Sequence, residues 1–257
     1  MVSLRGKLAI AAAILVVAPL SAFGFTADGN LSDWGVAAPT QQDYNNWTPG
    51  LSNVAWTSED WVLGDMYGGY VGSGYGGQVA DIEAMFMSLD GKTLHLAIAS
   101  GLGPFIVDNY VLPGDVFFDF GQDGTWDTAV ATMGASAGDV WGGAGIWYMD
   151  PLFLFTDQGP YEIDRAVADD QGAAAGFAFN TYGGEYDGQH WVIELALDLT
   201  DSQYSSLMDN GVSAHWTFVC GNDVMDLSYN PIVPEPSTLI LLGLGALGIF
   251  TRRRFSA

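Results

Sequence analysis

Residues 82–99 decide the fold and read Ile-Glu-Ala-Met-Phe-Met-Ser-Leu-Asp-Gly-Lys-Thr-Leu-His-Leu-Ala-Ile-Ala. Two largely apolar runs, Ile82–Ser88 and Thr93–Ala99, flank the turn signal Asp90-Gly91, which is typical of a β-hairpin. In the second run Leu94, Leu96 and Ile98 occupy alternate positions, with Thr93, His95 and Ala97 between them. This period of two predicts a strand that packs one face into a core.

Further stretches show the same alternation and are separated by glycine-containing turns. They are Asp115–Phe120, its partner Trp126–Met133 across a turn at Asp123-Gly124, His190–Asp198 and Ala214–Cys220. About two hundred residues are enough to bury one core. The pattern therefore predicts an all-β protein, an antiparallel β-sandwich of jelly-roll-like form over residues 25–230.

One short helix is predicted after the strand His190–Asp198. Thr200 and Gln203 form the Thr-x-x-Gln pair of a capping box, and Gly211 can end the helix. Tyr204, Leu207 and Met208 fall on one face at helical spacing. We expect this helix to cross between strands and to cover one end of the sandwich.

The N-terminal residues 1–24 have the organisation of a signal peptide. Arg5 and Lys7 supply a positive start, Leu8–Leu20 is an apolar run, and residues 21–24 are mostly small, as a cleavage site requires. The sequence thus predicts export through the Sec translocon, with a mature chain that begins near Phe25.

The C-terminal residues 231–257 have three parts in a fixed order. Val-Pro-Glu-Pro-Ser-Thr (233–238) is followed by an apolar run to Phe250, and then by Arg252, Arg253 and Arg254. A single hydrophobic helix over about 238–251 would be roughly 21 Å long, short of the ~30 Å hydrocarbon core unless the arginine stems extend it. The arginines should stay on the cytoplasmic side.

This tail resembles the PEP-CTERM sorting signal of Gram-negative bacteria. The resemblance implies that an exosortase-type membrane protease recognises Pro234, Glu235 and Pro236 and processes the chain there. It also implies a precursor anchored transiently in the inner membrane and a mature form that is extracellular or in the outer envelope. The alternative is a plain C-terminal anchor with a proline hinge.

The charge of the chain excludes several partners. The formal net charge is −23, and Lys92 and Arg165 are the only Lys or Arg residues in 25–230. Nucleic acids and anionic membranes are disfavoured by this sign. A polyanionic polysaccharide would require bridging divalent cations, for which calcium is the natural choice. The acidity alternatively serves solubility alone.

Four segments, in the same order, resemble family 9-like carbohydrate-binding and DOMON-related β-sandwiches. They are Ala27–Trp34, with the pattern Asp-Gly-x-x-x-Asp-Trp, then Asp81–Met85, Trp191–Leu195 and His215–Asp223. The resemblance implies a β-sandwich over most of residues 25–228 but does not specify a ligand.

Two sets of carboxylates are candidate calcium ligands. Asp119, Asp123 and Asp127 surround the turn at Gly124, although Gly121 and Val130 occupy ligand positions of an EF-hand, so only a β-turn calcium loop remains. The other interpretation is a polar turn. A second set comprises Asp28, Asp33 and Glu83, for which solvent-facing acids are the alternative.

Aromatic residues in two glycine-rich stretches are candidates for a sugar platform, because flat rings cover the apolar face of a pyranose. The alternative is that these rings pack down as loop anchors. The residues are Trp56, Trp61, Tyr67, Tyr70 and Tyr75 in the first stretch and Trp141 and Trp147 in the second.

The sequence assigns no catalytic residue. His95, His190 and His215 lack the spacing of a zinc site, and no Gly-x-Ser-x-Gly elbow is present. We therefore predict a non-enzymatic, exosortase-processed envelope or matrix protein associated with exopolysaccharide. A carbohydrate-binding module that uses loop aromatics is the first alternative, and a secreted hydrolase is the second.

Overall fold

Two antiparallel sheets packed face to face form the body of the protein. The computed structural model describes residues 24–38, 46–59, 81–104, 112–143, 147–148, 159–182, 190–219, 221 and 223–231. Almost all of the predicted signal peptide and the predicted C-terminal helix lie outside these residues. None of the helices in the described residues is both long and apolar enough to cross a membrane.

Thirteen strands and one α-helix follow each other along the described chain. They are β1 Ala55–Ser58, β2 Ile82–Asp90, β3 Thr93–Ser100, β4 Val116–Phe120, β5 Thr128–Val130, β6 Asp139–Gly142, β7 Trp147–Tyr148, β8 Glu162–Ile163, β9 Asp169–Ala173, β10 Gly176–Tyr182, β11 His190–Asp198, α1 Asp201–Asn210, β12 Val212–Thr217 and β13 Val224–Tyr229. The first sheet has the order β1-β2-β3-β11-β10, and the second has the order β13-β12-β4-β5-β6-β9. The pair β7-β8 stands apart. These elements confirm the prediction of a mostly β protein with two antiparallel sheets and one helix.

The predicted hairpin is formed by β2 and β3. Its loop is Gly91-Lys92, because Asp90 pairs with Thr93 at the end of the ladder. Gly91 has a φ of 61°, which the first loop position of a type II′ turn requires. The register shifts between Ile82 and Ala84, so Glu83 is the extra residue of a β-bulge.

The main core lies between the two sheets and follows the predicted alternation. Leu94, Leu96 and Ile98 of β3 are fully buried there, opposite Phe118 and Trp216 of the second sheet. The indole Nε1 of Trp216 donates to the Gly114 carbonyl at 2.8 Å, so its one polar atom is satisfied inside the core. Apolar burial on both inner faces holds the sheets together.

The outer face of the first sheet is also buried, which the alternation did not predict. Leu31, Trp34 and Trp47, which precede β1, pack against residues such as Phe86 and Val192 of the sheet. We call residues 25–50, as far as they are described, the N-terminal cover. The cover contains one 3₁₀ turn, Leu31–Trp34, and no described strand.

The helix α1 confirms its sequence signals. The Thr200 side chain and the Gln203 side chain each accept a backbone N–H of the other residue, which is a complete capping box. Gly211 follows the helix with a φ of 88°. The helix joins β11 of the first sheet to β12 of the second and buries Leu207 in the main core. It therefore covers one end of the sandwich, as expected.

Candidate functional site

The carboxylate of Glu194 fastens the N-terminal cover to the first sheet. Its Oε2 accepts the backbone N–H groups of Asp28 at 3.0 Å, Gly29 at 2.6 Å and Asn30 at 3.0 Å. Its Oε1 accepts the indole N–H of Trp34 at 2.6 Å. Glu194 lies on β11, about 160 residues further along the chain. Because four donors converge on one buried side chain, this contact positions residues 28–34 of the cover.

Two other buried acids bind backbone groups in the same way. Asp223 accepts the N–H of Ile82 at 2.6 Å and that of Val224 at 2.8 Å, which links the start of β13 to the start of β2. Asp115 accepts the N–H groups of Thr132 and Ile163, both at 3.0 Å. In a chain with so few cations, these acids take backbone donors as their partners.

Burial affects the pKa of all three carboxyl groups. It raises the pKa of Glu194 to about 7, against the opposing effect of the hydrogen bond from Trp34. It raises the pKa of Asp223 to about 7, against the hydrogen bonds from Ile82 and Val224. Burial also raises the pKa of Asp115. The cause in each case is the cost of removing a charge from water.

These shifts predict that the protein is more stable in mild acid. The folded state binds more protons than the unfolded chain between about pH 4 and pH 7, so the free energy of unfolding falls as the pH rises through this window. Glu194 and Asp223 each contribute over about two pH units of this window, so at about 1.4 kcal/mol for each unit we expect unfolding at pH 5 to require about 5 kcal/mol more than at pH 8. The pKa of His95, which burial lowers, opposes this trend.

Urea denaturation at both pH values measures this difference. Glu194→Gln, which does not titrate, should make the pH dependence shallower and serves as the control for the contribution of Glu194. If the free energy of unfolding instead rises from pH 5 to pH 8, the hydrogen-bond donors lower the pKa of these carboxyl groups by more than burial raises it.

A second buried pair lies on the same outer face of the first sheet. The two carboxylate oxygens of Glu83 lie 2.5 and 2.7 Å from Nδ1 of His190. Both side chains are almost fully buried, and the ring of Trp47 meets the imidazole edge-on at 5.5 Å between centroids. The β-bulge at Glu83 and the start of β11 bring these two residues together. The pair thus adds a second polar contact beneath the cover.

The predicted calcium loop forms a compact acidic turn. Asp119 accepts the N–H groups of Asp123 and Gly124 at 3.1 and 2.8 Å, and Asp127 accepts that of Phe120 at 2.7 Å. Burial raises the pKa of Asp127, and the nearby charges of Asp119 and Asp123 add to the rise. In the described part of the chain, no group of three or more His, Cys, Asp or Glu side chains could hold a metal ion. Calcium at this turn stays a prediction.

The second predicted set of calcium ligands makes contacts within the protein, and calcium binding by this set stays a prediction. Asp28 and Asp33 lie in the cover, where they accept the N–H groups of Asn30 and Thr26. Glu83 binds His190 instead. The residue that ties the N-terminal segment to the sheet is Glu194. Sequence reasoning missed Glu194, although an isolated acid within the apolar strand Trp191–Leu195 was the available signal.

The predicted aromatic residues are distributed over separate places. Trp56 lies on the edge strand β1 and is 40% exposed. Trp141 lies on β6, half-buried, with the Arg165 guanidinium 6.0 Å from its ring centroid. Trp147 lies on β7. The remaining candidates, Trp61, Tyr67, Tyr70 and Tyr75, lie outside the described residues.

The three histidines have separate surroundings. His190 binds Glu83, and His215 binds Asp226 with 2.7 Å between Nδ1 and Oδ1. His95 contacts the ring of Phe25. Each lies on a different strand.

Comparison with known proteins bears on the tail. Searches of curated proteins and of solved structures found no match to this chain. The resemblance of the sandwich to family 9-like carbohydrate-binding domains therefore stays a prediction. Residues 233–254 match the family model described as the PEP-CTERM protein-sorting motif, a range that includes Pro234, Glu235, Pro236 and Arg252–Arg254. This motif indicates an exported protein whose membrane-anchored precursor is processed at its C-terminal end by an exosortase.

Proposed function

We propose that this chain is a non-enzymatic protein of the extracellular matrix or outer envelope that associates with exopolysaccharide after exosortase processing. The sorting motif at residues 233–254 carries the proposal, because it gives the chain a route out of the cell. A signal-peptide pattern at the opposite end supports the same route. The β-sandwich between the two ends is then the functional domain of the mature protein.

Five buried ionisable side chains of the described residues support a non-enzymatic role, because structural contacts occupy them. Glu83, His190 and Glu194 are buried in contacts that hold the cover in place. Asp115 and Asp223 are buried in contacts that join strands and loops. Groups consumed by structural hydrogen bonds are not available to a substrate.

Glu235→Ala tests the sorting step. Because the acid lies between the two prolines of the matched motif, we expect its removal to leave most of the protein as unprocessed precursor in the membrane fraction. Immunoblots of fractionated cells of the native host measure the ratio of precursor to mature protein. Glu59→Ala, which changes an exposed glutamate of the folded domain, is the matched control and should be processed as wild type. Normal processing of Glu235→Ala would contradict the proposal that the sorting motif directs processing through Glu235.

A carbohydrate-binding module that uses loop aromatics is the alternative. Trp56 favours it: this ring lies on the edge strand β1 rather than in a loop, but it is 40% exposed, and a ring in solvent can stack on a sugar. A secreted hydrolase, the second alternative, has no such specific support in the described residues.

A further inference from the structure

A groove of about 750 Å³ opens on the side of the sandwich where β1 and β13, the edge strands of the two sheets, lie. One wall is formed by β1 and the residues before it, and the opposite wall by the end of β13. The helix α1 contributes Tyr204 and Met208. The chain passes through the rim at Pro231, just before the sorting motif begins.

The lining residues that the structure describes are uncharged, although the chain as a whole has a net charge of −23. Its floor is apolar and belongs to the partly buried edge of the main core, with Ala55, Leu89 and Met208. Its rim carries the amides of Asn53 and Asn230 and two serine hydroxyls. An apolar floor with a neutral polar rim suits a ligand that has both apolar and hydroxylated faces.

Two tyrosine rings in the groove are held in place. Tyr229 is partly buried and packs against the main core. The ammonium of Lys92 lies 5.6 Å from the centroid of the Tyr204 ring and also binds Asp201. Rings that are ordered before a ligand arrives lose little conformational freedom on binding.

We propose that this groove binds a stretch of neutral polysaccharide. The rings of Tyr204 and Tyr229 would cover the apolar C–H faces of the sugars, and the amides and hydroxyls of the rim would bond their hydroxyl groups. The volume is within the range of small-ligand sites, which is about 300–1,000 Å³. The inference rests on the proposed association with exopolysaccharide and names both the surface and the class of glycan.

Charge argues against an anionic glycan in the same place. Asp90, Asp198, Asp201 and Asp209 are exposed at this end of the sandwich, where Lys92 is the only Lys or Arg among the described residues of the β2–β3 turn and α1. A uronic-acid polymer would be repelled by these carboxylates at low ionic strength. A neutral glycan is unaffected by them.

Calorimetric titration of the full chain tests the groove. The chain is held in micelles of a detergent without a sugar headgroup, since a maltoside would compete for the site. The probes are the β-1,4-linked hexasaccharides of glucose, mannose and xylose, with hexagalacturonate as the acidic counterpart. We expect at least one neutral hexasaccharide to bind and hexagalacturonate not to bind. Tyr204→Ala should weaken the affinity about tenfold, because one aromatic contact is worth about that factor.

Two variants separate the groove from other surfaces. Tyr204→Phe keeps the ring and should bind nearly as wild type. Trp56→Ala removes an exposed ring that points away from the groove and should bind unchanged. Because Tyr204 also packs against the main core, a thermal unfolding scan of Tyr204→Ala is recorded beside the titration, and the affinity is compared only at a temperature where the variant is folded. Binding of none of the neutral hexasaccharides, or equal weakening by Trp56→Ala, would overturn the proposal.

Matrix retention distinguishes this inference from the proposed function. Wild-type protein that stays with the host's exopolysaccharide on washing, together with Tyr204→Ala that washes off, supports the groove. If both are retained equally, the groove proposal is wrong and the proposed function stands. If wild type itself washes off, the proposed function fails, and the inference drawn from it fails with it.

Discussion

Glu194→Ala is expected to lower the free energy of unfolding by about 4 kcal/mol, since a buried donor without a partner costs about 1–3 kcal/mol. The substitution leaves the buried N–H groups of Gly29 and Trp34 without an acceptor, and it also removes the bonds from Asp28 and Asn30. Urea denaturation followed by tryptophan fluorescence measures the loss. In limited proteolysis, residues 25–50 of the variant should be cleaved after a shorter time than those of wild type, because Glu194 holds the cover on the sheet.

Two comparisons make this result specific. Glu194→Gln keeps one side-chain oxygen for the backbone donors but turns an NH₂ group toward the Trp34 indole. It should therefore lower the free energy of unfolding, but by less than Glu194→Ala does. Glu59→Ala changes an exposed glutamate and should cost less than about 0.5 kcal/mol. A loss below 1 kcal/mol for Glu194→Ala would show that the cover is held by its apolar contacts rather than by the carboxylate.

Glu83→Ala should destabilise the fold by about 3–5 kcal/mol, the usual cost of removing one partner of a buried pair. His190 would lose the carboxylate on its Nδ1 while it stays enclosed beneath the ring of Trp47. Thermal and urea unfolding both measure the effect.

Asp226→Ala is the matched control for this second prediction. It removes the same kind of carboxylate–imidazole contact from His215, but the Asp226 side chain is 68% exposed. Water can replace an exposed partner, so the expected cost is about 1 kcal/mol or less. Similar losses for Glu83→Ala and Asp226→Ala would contradict the argument that burial sets the cost.

The sequence predicted the elements whose signals are local. The hairpin of β2 and β3 follows from alternation and a turn, and α1 follows from Thr200, Gln203 and Gly211. The sorting motif is likewise a linear pattern, readable because a protease binds an extended segment. Such features depend on neighbours within a few residues, and the sequence displays those neighbours directly.

The second burial layer was not predicted. Alternation in β3 assigned Ala97 to an outward face, yet it is fully buried beneath the cover. Trp34 looked like part of an opening motif, and Glu194 like one acid among many. Neither segment alone indicates that Trp34 and Glu194 are in contact, because their hydrogen bond joins residues 160 positions apart in the sequence.

The sequence by itself determined the class of fold, the position of its helix and the route of the chain out of the cell, because periodicity, caps and a short tail motif act locally. Only the tertiary structure decided which acids hold distant segments together, that the N-terminal cover packs on the outer face of the first sheet, and that a groove whose described lining is uncharged opens beside α1. These features arise where distant segments converge, since burial and the pairing of polar groups belong to the packed chain rather than to any one stretch of it.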